Sequence, residues 1–193
     1  MADDDRLTTT LALIDAANAG DPTIEADGTP HALAYGHRMS RWLDRLVPGA
    51  SVALRIAAHA QHIERWRIPR DDFPRDRAGY HRWRTTLGRM HAERAATLAR
   101  AAGYDEVIAA RIQALVRKEG IKFDPETQAL EDAACLVFLE TEFADFATRH
   151  DETKVVDVLR KTWRKMSEQG RAAALGLDLP GATRSLVEKA LAS

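Results

Sequence analysis

Residues 129–146 read ALEDAACLVFLETEFADF, and the spacing of the apolar side chains in this stretch decides the fold class. Asp132, Leu136, Leu139, Phe143 and Phe146 recur at alternating intervals of four and three residues. Such intervals place all five residues on one face of an α-helix, whereas a half-buried strand would alternate at every second residue. The stretch therefore predicts a long amphipathic helix.

The same helical period continues in both directions along the chain, and no segment alternates as a strand would. Glycine, proline and capping aspartates mark where each predicted helix begins and ends. The predicted helices cover residues 6–19, 30–47, 51–66, 78–102, 105–119, 124–150 and 151–170, with a last one after Pro180. We therefore expect an all-α, single-domain helical bundle over residues 1–193.

Composition narrows the class of protein further. The chain has 193 residues, 45% of them hydrophobic, which is enough to form a substantial core without disulfides. Its single cysteine, Cys135, lies in an apolar run and is expected to be a buried thiol. No apolar run is long enough to cross a bilayer, and the acidic first residues do not resemble an export signal. These features predict a cytoplasmic protein with no membrane partner.

Arginine is concentrated in one segment although the net charge is only −1. Eight arginines lie between Arg65 and Arg89, and two prolines in this segment exclude a continuous helix. The charges could belong to a solvated surface paired with nearby aspartates. They could also bind phosphate, whose geometry matches the guanidinium fork. The candidate substrate-binding residues are Arg65, Arg67, Arg70 and Arg84, beside Trp66 and Tyr80.

Several polar residues fall on the apolar faces of predicted helices. Asp132 lies on the stripe quoted above, and His91 shares a face with Leu87 and Leu98. A buried carboxylate is costly unless it is paired or binds a metal. Singly, such residues are usually satisfied by a backbone carbonyl or an arginine. Together, they predict that His91 faces Asp132, with His62 or His37 completing a shared metal site.

Six stretches resemble a family of bacterial and fungal proteins known as domain of unknown function 4202. They are ALIDAAN (12–18), AQHIERWRIPR (60–70), AGYHRWR (78–84), ALVRKEGIK (114–122), ALEDAACLVFLE (129–140) and LRKTWRKMSEQGR (159–171). The resemblance extends over nearly the whole chain. It implies a shared fold and little about activity.

A second resemblance is to the HD-domain metal-dependent phosphohydrolases. The segments YGHRMSRWLDRL, LRIAAHAQHIERW, HAERAATLARAAGYDEVIAARIQALVRKEG and LEDAACLVFLE are similar to the four segments that carry that superfamily's ligands. Where the superfamily has His-Asp, this chain has Gln61-His62, so one bridging carboxylate is missing. The resemblance implies an HD-like fold and a mononuclear site for zinc, manganese, iron or nickel. Its ligands would be His37, His62, His91 and Asp132.

Three functions are compatible with these features. The first is a metal-dependent phosphohydrolase acting on a nucleotide or another phosphate ester. The second is a non-catalytic module that binds a nucleotide, RNA or a protein, which the missing His-Asp pair favours. The third is a metal-dependent oxidase, which would need further carboxylate ligands. The sequence leaves the substrate, the metal and the oligomeric state open.

Overall fold

The computed structural model describes residues 3–191, and this part of the chain is built from helices. Short 3-10 helices, Arg65–Arg67 and Arg70–Asp72, lie between the third and fourth α-helices, and a π-helical turn, Phe138–Glu142, follows the sixth. The α-helices are α1 (Asp3–Asn18), α2 (His31–Leu46), α3 (Val52–His59), α4 (Arg77–Ala101), α5 (Glu106–Val116), α6 (Pro125–Val137), α7 (Phe143–Thr148), α8 (Glu152–Lys165), α9 (Glu168–Leu175) and α10 (Gly181–Leu191). The predicted all-α class is confirmed.

The contacts divide the chain into two compact units, one ending at Leu130 and the other beginning at Glu131. The boundary falls within α6, where the sequence shows no break between domains. None of the helices described is both long enough and apolar enough to span a bilayer.

Helix α3 forms the centre of the first unit. It packs against α1, α2, α4 and α5, although it is only eight residues long. Leu54, Ile56, Ala57 and Ala58 are completely removed from solvent. Alanine side chains in such a helix let the neighbouring backbones approach closely, so four helices can pack against one short helix.

Helix α2 approaches α3 closely at Gly36. A Cβ atom added at Gly36 would lie 2.8 Å from the carbonyl oxygen of His59, the last residue of α3. Ordinary carbon–oxygen contacts are longer, so any side chain here would push the two helices apart. Glycine is thus required at this position by packing and not by its backbone conformation.

The end of α3 corrects one predicted boundary. The sequence predicts a helix through Trp66, but α3 ends at His59, and the chain then turns through residues 60–64. Glu64 adopts a left-handed conformation with φ of 51°, and its backbone N–H donates to Oδ1 of Asn18 at 3.0 Å. A hydrogen bond to α1, 46 positions earlier in the chain, therefore stabilises the turn at Glu64. No glycine or proline within residues 60–64 predicts this turn.

Other boundaries depend on capping side chains. Asp105 and Asp151 accept from backbone N–H groups of α5 and α8, as predicted. The predicted helix over 151–170 is wrong, because α8 ends at Lys165 and Ser167 caps a separate helix, α9. The predicted helix over 124–150 is interrupted by the π-helical turn.

In the second unit, α10 packs against α7 and α8, and α7 packs against α8. Phe143 is fully buried, and its ring meets that of Phe138 edge to face, with centroids 5.9 Å apart. Val155 and Leu159 supply the buried face of α8. The apolar period of the sequence therefore identifies the core of this unit correctly.

The Gly36 contact generates a prediction on stability. Gly36→Ala should lower the free energy of unfolding by about 1–3 kcal/mol, because the new methyl group overpacks the junction of α2 and α3. Gly88→Ala is the matched control, since Gly88 lies in the middle of α4 and a Cβ there would meet nothing within 4 Å. That variant should gain about 0.5–1 kcal/mol from helix propensity. Urea denaturation of both variants measures the difference, and equal shifts would contradict the packing role of Gly36.

Candidate functional site

Three of the predicted metal ligands lie in the first unit and the fourth in the second. His37 is on α2, His62 follows α3, His91 is on α4 and Asp132 is on α6. Among the described residues, one group of three metal-ligating side chains has its ligand atoms within 4.8 Å of one another. That group is Asp15, His37 and His59. Only His37 belongs both to this group and to the predicted set, because His62, His91 and Asp132 have other surroundings.

Asp132 is buried, as its position on the apolar stripe predicts. Its Oδ1 accepts the backbone N–H of Ser167 at 2.8 Å, and its Oδ2 accepts the Ser167 hydroxyl. The carboxylate packs against Gly170. A Cβ atom added at Gly170 would lie only 2.6 Å from Cγ of Asp132, so a side chain there would clash with it. Asp132 was expected to pair with a histidine, an arginine or a metal. In the second unit, Ser167, the N-cap of α9 and 35 residues away, helps to stabilise the negative charge of Asp132.

Asp15, His37 and His59 come from three different helices of the first unit. Oδ1 of Asp15 accepts from Nε2 of His37 at 3.0 Å and from Nε2 of His59 at 2.7 Å. Nδ1 of His59 lies 2.8 Å from the Ser40 hydroxyl, which donates to it when Nε2 carries the proton. Burial lowers the pKa of His59, and the hydrogen bond to Asp15 opposes this effect without cancelling it. A neutral imidazole is the form that binds metals.

The sequence missed Asp15 because nothing local singles it out. The residue lies next to Ile14, on the edge of the apolar face of α1. His59 carries a signal, since it falls on the buried face of a predicted helix, but its partners lie on α1 and α2. The approach of α2 at Gly36 brings His37 to His59, and α1, which also packs against α3, supplies Asp15.

His91 and His62 form a second group of imidazoles. Their ring centroids are 6.0 Å apart, and His62 stacks on Tyr35 at 4.0 Å. Nδ1 of His91 donates to the carbonyl oxygen of Ile63 at 2.7 Å. Nε2 of His91 is buried and has no hydrogen-bond partner among the described residues. Burial lowers the pKa of His91 to about 4 and the pKa of His62 well below its ordinary value, so both rings are neutral at pH 7.

A cavity of about 260 Å³ opens beside His62. Two of the four candidate arginines, Arg65 and Arg70, line it. The other lining residues are Asp21, Thr23, His31, Ala32, Tyr35, His62, Trp66, Ile68, Pro69 and Trp83. The cavity thus combines cationic and aromatic side chains in one concave surface.

The 3-10 segments between α3 and α4 position these side chains. Arg70 donates from Nη1 to the Phe73 carbonyl at 2.9 Å and from Nη2 to the Pro74 carbonyl at 2.8 Å. The Trp83 indole donates to the Ile68 carbonyl at 2.9 Å, and the Arg65 guanidinium lies 4.7 Å from the centre of the Trp83 ring. The irregular backbone is therefore held by side chains from its own segment and from α4.

The remaining two candidate arginines do not line this cavity. Arg67 pairs with the buried carboxylate of Glu64 at 3.0 Å and lines a separate surface depression. Arg94 completes the same ion pair at 2.8 Å. Arg84 is exposed on α4, with Nη1 3.5 Å from the Tyr80 hydroxyl. Arg67 thus neutralises a buried acid, a role that spacing alone could not distinguish from ligand binding.

Comparison with known proteins places the chain in a family. The family model described as Domain of unknown function (DUF4202) matches residues 8–187. No curated protein and no solved structure matches the chain. Because the match covers nearly the whole sequence, the chain belongs to the DUF4202 family.

The buried His91 generates a prediction on acid stability. Between pH 6.5 and about 4 the unfolded chain protonates this imidazole and the folded chain does not, so stability falls as the pH falls. Below pH 4 the loss from this residue reaches about 3 kcal/mol. His91→Asn keeps a donor for the Ile63 carbonyl and does not titrate. Its free energy of unfolding should therefore decrease less than that of the wild type over this pH range.

The matched control is His81→Asn, since His81 is exposed on the same helix. Urea denaturation at intervals from pH 4 to pH 7 compares the two variants with the wild type. The control should reproduce the wild-type pH profile. If His91→Asn also reproduces the wild-type pH profile, the loss of stability at acidic pH is not due to His91.

Proposed function

We propose that this protein binds a small phosphorylated molecule with a planar ring, such as a mononucleotide, in the cavity beside His62. The observation that carries the proposal is the presence of Arg65 and Arg70 with three aromatic side chains in one cavity of the first unit. Guanidinium groups recognise phosphate through paired hydrogen bonds, and aromatic rings stack on bases. An HD-like fold remains an expectation from the sequence.

Charge in the cavity favours an anion. Two arginines face one carboxylate, that of Asp21, which already accepts the backbone N–H groups of Thr23 and Ala32 at 2.9 Å each. The two hydrogen bonds of Arg70 to backbone carbonyls use only two of its five donors. They hold the guanidinium in place while other N–H groups stay available for a ligand oxygen. A fixed cation of this kind loses little conformational entropy on binding.

Trp66 is the ring best suited to stack on a ligand. Arg65 covers one face of Trp83, and His62 covers Tyr35. Among the described residues, no ring or guanidinium stacks on Trp66. A base on this indole would contribute about 1–3 kcal/mol.

Size favours a small ligand over a polymer. The volume of about 260 Å³ lies just below the usual range of small-molecule sites, about 300–1,000 Å³. A mononucleotide would fill the cavity and extend its phosphate toward the arginines. RNA, the alternative from the sequence, would need an extended groove, so we expect weaker binding of single-stranded RNA than of a mononucleotide.

Calorimetric titration with adenosine, guanosine and cytidine 5′-monophosphates tests the proposal. At least one should bind, and Arg65→Gln should weaken its affinity about 10-fold, the effect of losing one charge-assisted hydrogen bond. Arg84→Gln is the matched control, because Arg84 is an exposed arginine of the same segment, and it should bind as the wild type does. Trp66→Leu should weaken binding of the nucleotide and of the free nucleoside alike.

The proposal fails if none of the three nucleotides binds. It also fails if Arg84→Gln weakens binding as much as Arg65→Gln does. Tighter binding of a single-stranded oligoribonucleotide than of every mononucleotide would assign the arginines to RNA instead.

Hydrolysis of the bound phosphate ester is a second candidate, favoured by one observation. His62 lines the same cavity, and its low pKa leaves a neutral imidazole that could accept a proton from an attacking water. Phosphate release from a bound mononucleotide, with zinc, manganese, iron or nickel added, tests for this activity. His62→Gln should abolish release and leave nucleotide affinity within about twofold. Binding without any release would leave a non-catalytic binding module.

A further inference from the structure

We infer that Asp15, His37 and His59 form a binding site for one divalent transition-metal ion. Each contributes a ligand atom, and the three atoms lie within 4.8 Å of one another. Both imidazole nitrogens point at the same oxygen, Oδ1 of Asp15, from 3.0 and 2.7 Å. This set shares His37 with the ligands expected from the sequence and differs in every other member. It does not depend on nucleotide binding.

The donor set selects the class of metal. Two imidazole nitrogens and one carboxylate oxygen suit zinc, iron, manganese, cobalt or nickel, whereas magnesium and calcium prefer oxygen ligands alone. An ion about 2.0–2.2 Å from each ligand requires ligand atoms about 2.8–3.6 Å apart, from octahedral to tetrahedral angles. The nitrogen–oxygen distance of His37 lies in that range, and that of His59 reaches it with a small shift. Three protein ligands leave further coordination positions for water or a substrate.

Exposure allows the ion to enter. The side chains of His37 and Asp15 are 54% and 35% exposed, and that of His59 is 6% exposed. The site thus has one rigid buried ligand and two ligands at the surface that can adjust. A metal would meet water on its open side, which matches a site that exchanges its ion or binds a further ligand.

Ser40 orients the buried ligand. Its hydroxyl lies 2.8 Å from Nδ1 of His59, the nitrogen that does not face Asp15. Metal-binding histidines generally use the second nitrogen to hydrogen-bond a neighbouring group, which fixes the ring and its tautomer. A serine hydroxyl can donate to Nδ1 without a metal and accept from it when Nε2 binds one. Ser40 is therefore a positioning residue for the site.

Zinc and cobalt titrations of the full chain, without a histidine tag and stripped with chelator, test the inference. Calorimetry should show one zinc ion per chain, and zinc should raise the melting temperature, with chelator reversing the shift. Cobalt should give the visible absorption of a site with nitrogen and oxygen ligands. Magnesium alone should change neither signal.

Variants locate the site. Asp15→Asn and His37→Gln should each lower zinc affinity at least about 10-fold, and Ser40→Ala about 10-fold. His81→Gln, a change at an exposed histidine of α4, should leave the affinity unchanged. His91→Asn separates the two ligand sets, because His91 belongs only to the set expected from the sequence. The inference predicts no loss of affinity in His91→Asn.

Two results would overturn the inference. One is a chain that binds neither zinc nor cobalt at millimolar concentrations, which would leave Asp15, His37 and His59 as a hydrogen-bonded cluster. The other is zinc binding that His91→Asn abolishes and Asp15→Asn leaves intact, which would place the ion elsewhere. Melting temperatures of metal-free variants confirm that any loss of affinity is not a loss of folding.

Discussion

The packing of α2 onto the end of α3 is the contact on which the first unit depends. Gly36 leaves room for the carbonyl of His59, and no residue with a side chain could occupy that position without separating the helices. The contact has two consequences. It brings His37 of α2 to His59, which also contacts Asp15 of α1, and it lies where the chain leaves α3 toward the cavity that His62 and Arg65 line. Both candidate sites therefore originate at the end of one eight-residue helix.

Glu64 explains why the arginine-rich segment serves two purposes. The backbone of Glu64 adopts a left-handed conformation, and its buried carboxylate forms ion pairs with Arg67 and Arg94. A buried carboxylate without such partners would be strongly destabilising. Arg67 and Arg94 therefore have a structural role, which is to neutralise Glu64. Arg65 and Arg70 are directed to the cavity instead. A run of similar residues is thus divided by its surroundings into structural cations and candidate ligand-binding cations.

The histidines divide in a similar way. His91 is buried, bonded to the Ile63 carbonyl and held neutral, and its stability contribution depends on staying unprotonated. His37 is exposed and shares a carboxylate oxygen with His59. The histidines of the first unit therefore differ in chemistry according to the carboxylate, carbonyl or cavity that each one contacts.

The sequence alone determined the helical class, most helix boundaries, the capping aspartates and the burial of Asp132, because these follow from local spacing and local hydrogen bonding. The sequence also indicated Arg65, Arg67, Arg70 and Arg84 as candidate anion-binding residues, but it could not show that Arg65 and Arg70 line one cavity. It could not show that α3 stops at His59, since Asn18 and Gly36 act on that turn from other helices. Nor could it show that Ser167 satisfies Asp132 or that Asp15 joins His37 and His59. Those partners lie 22 to 44 residues apart in the chain, and only tertiary packing brings their atoms within hydrogen-bonding distance.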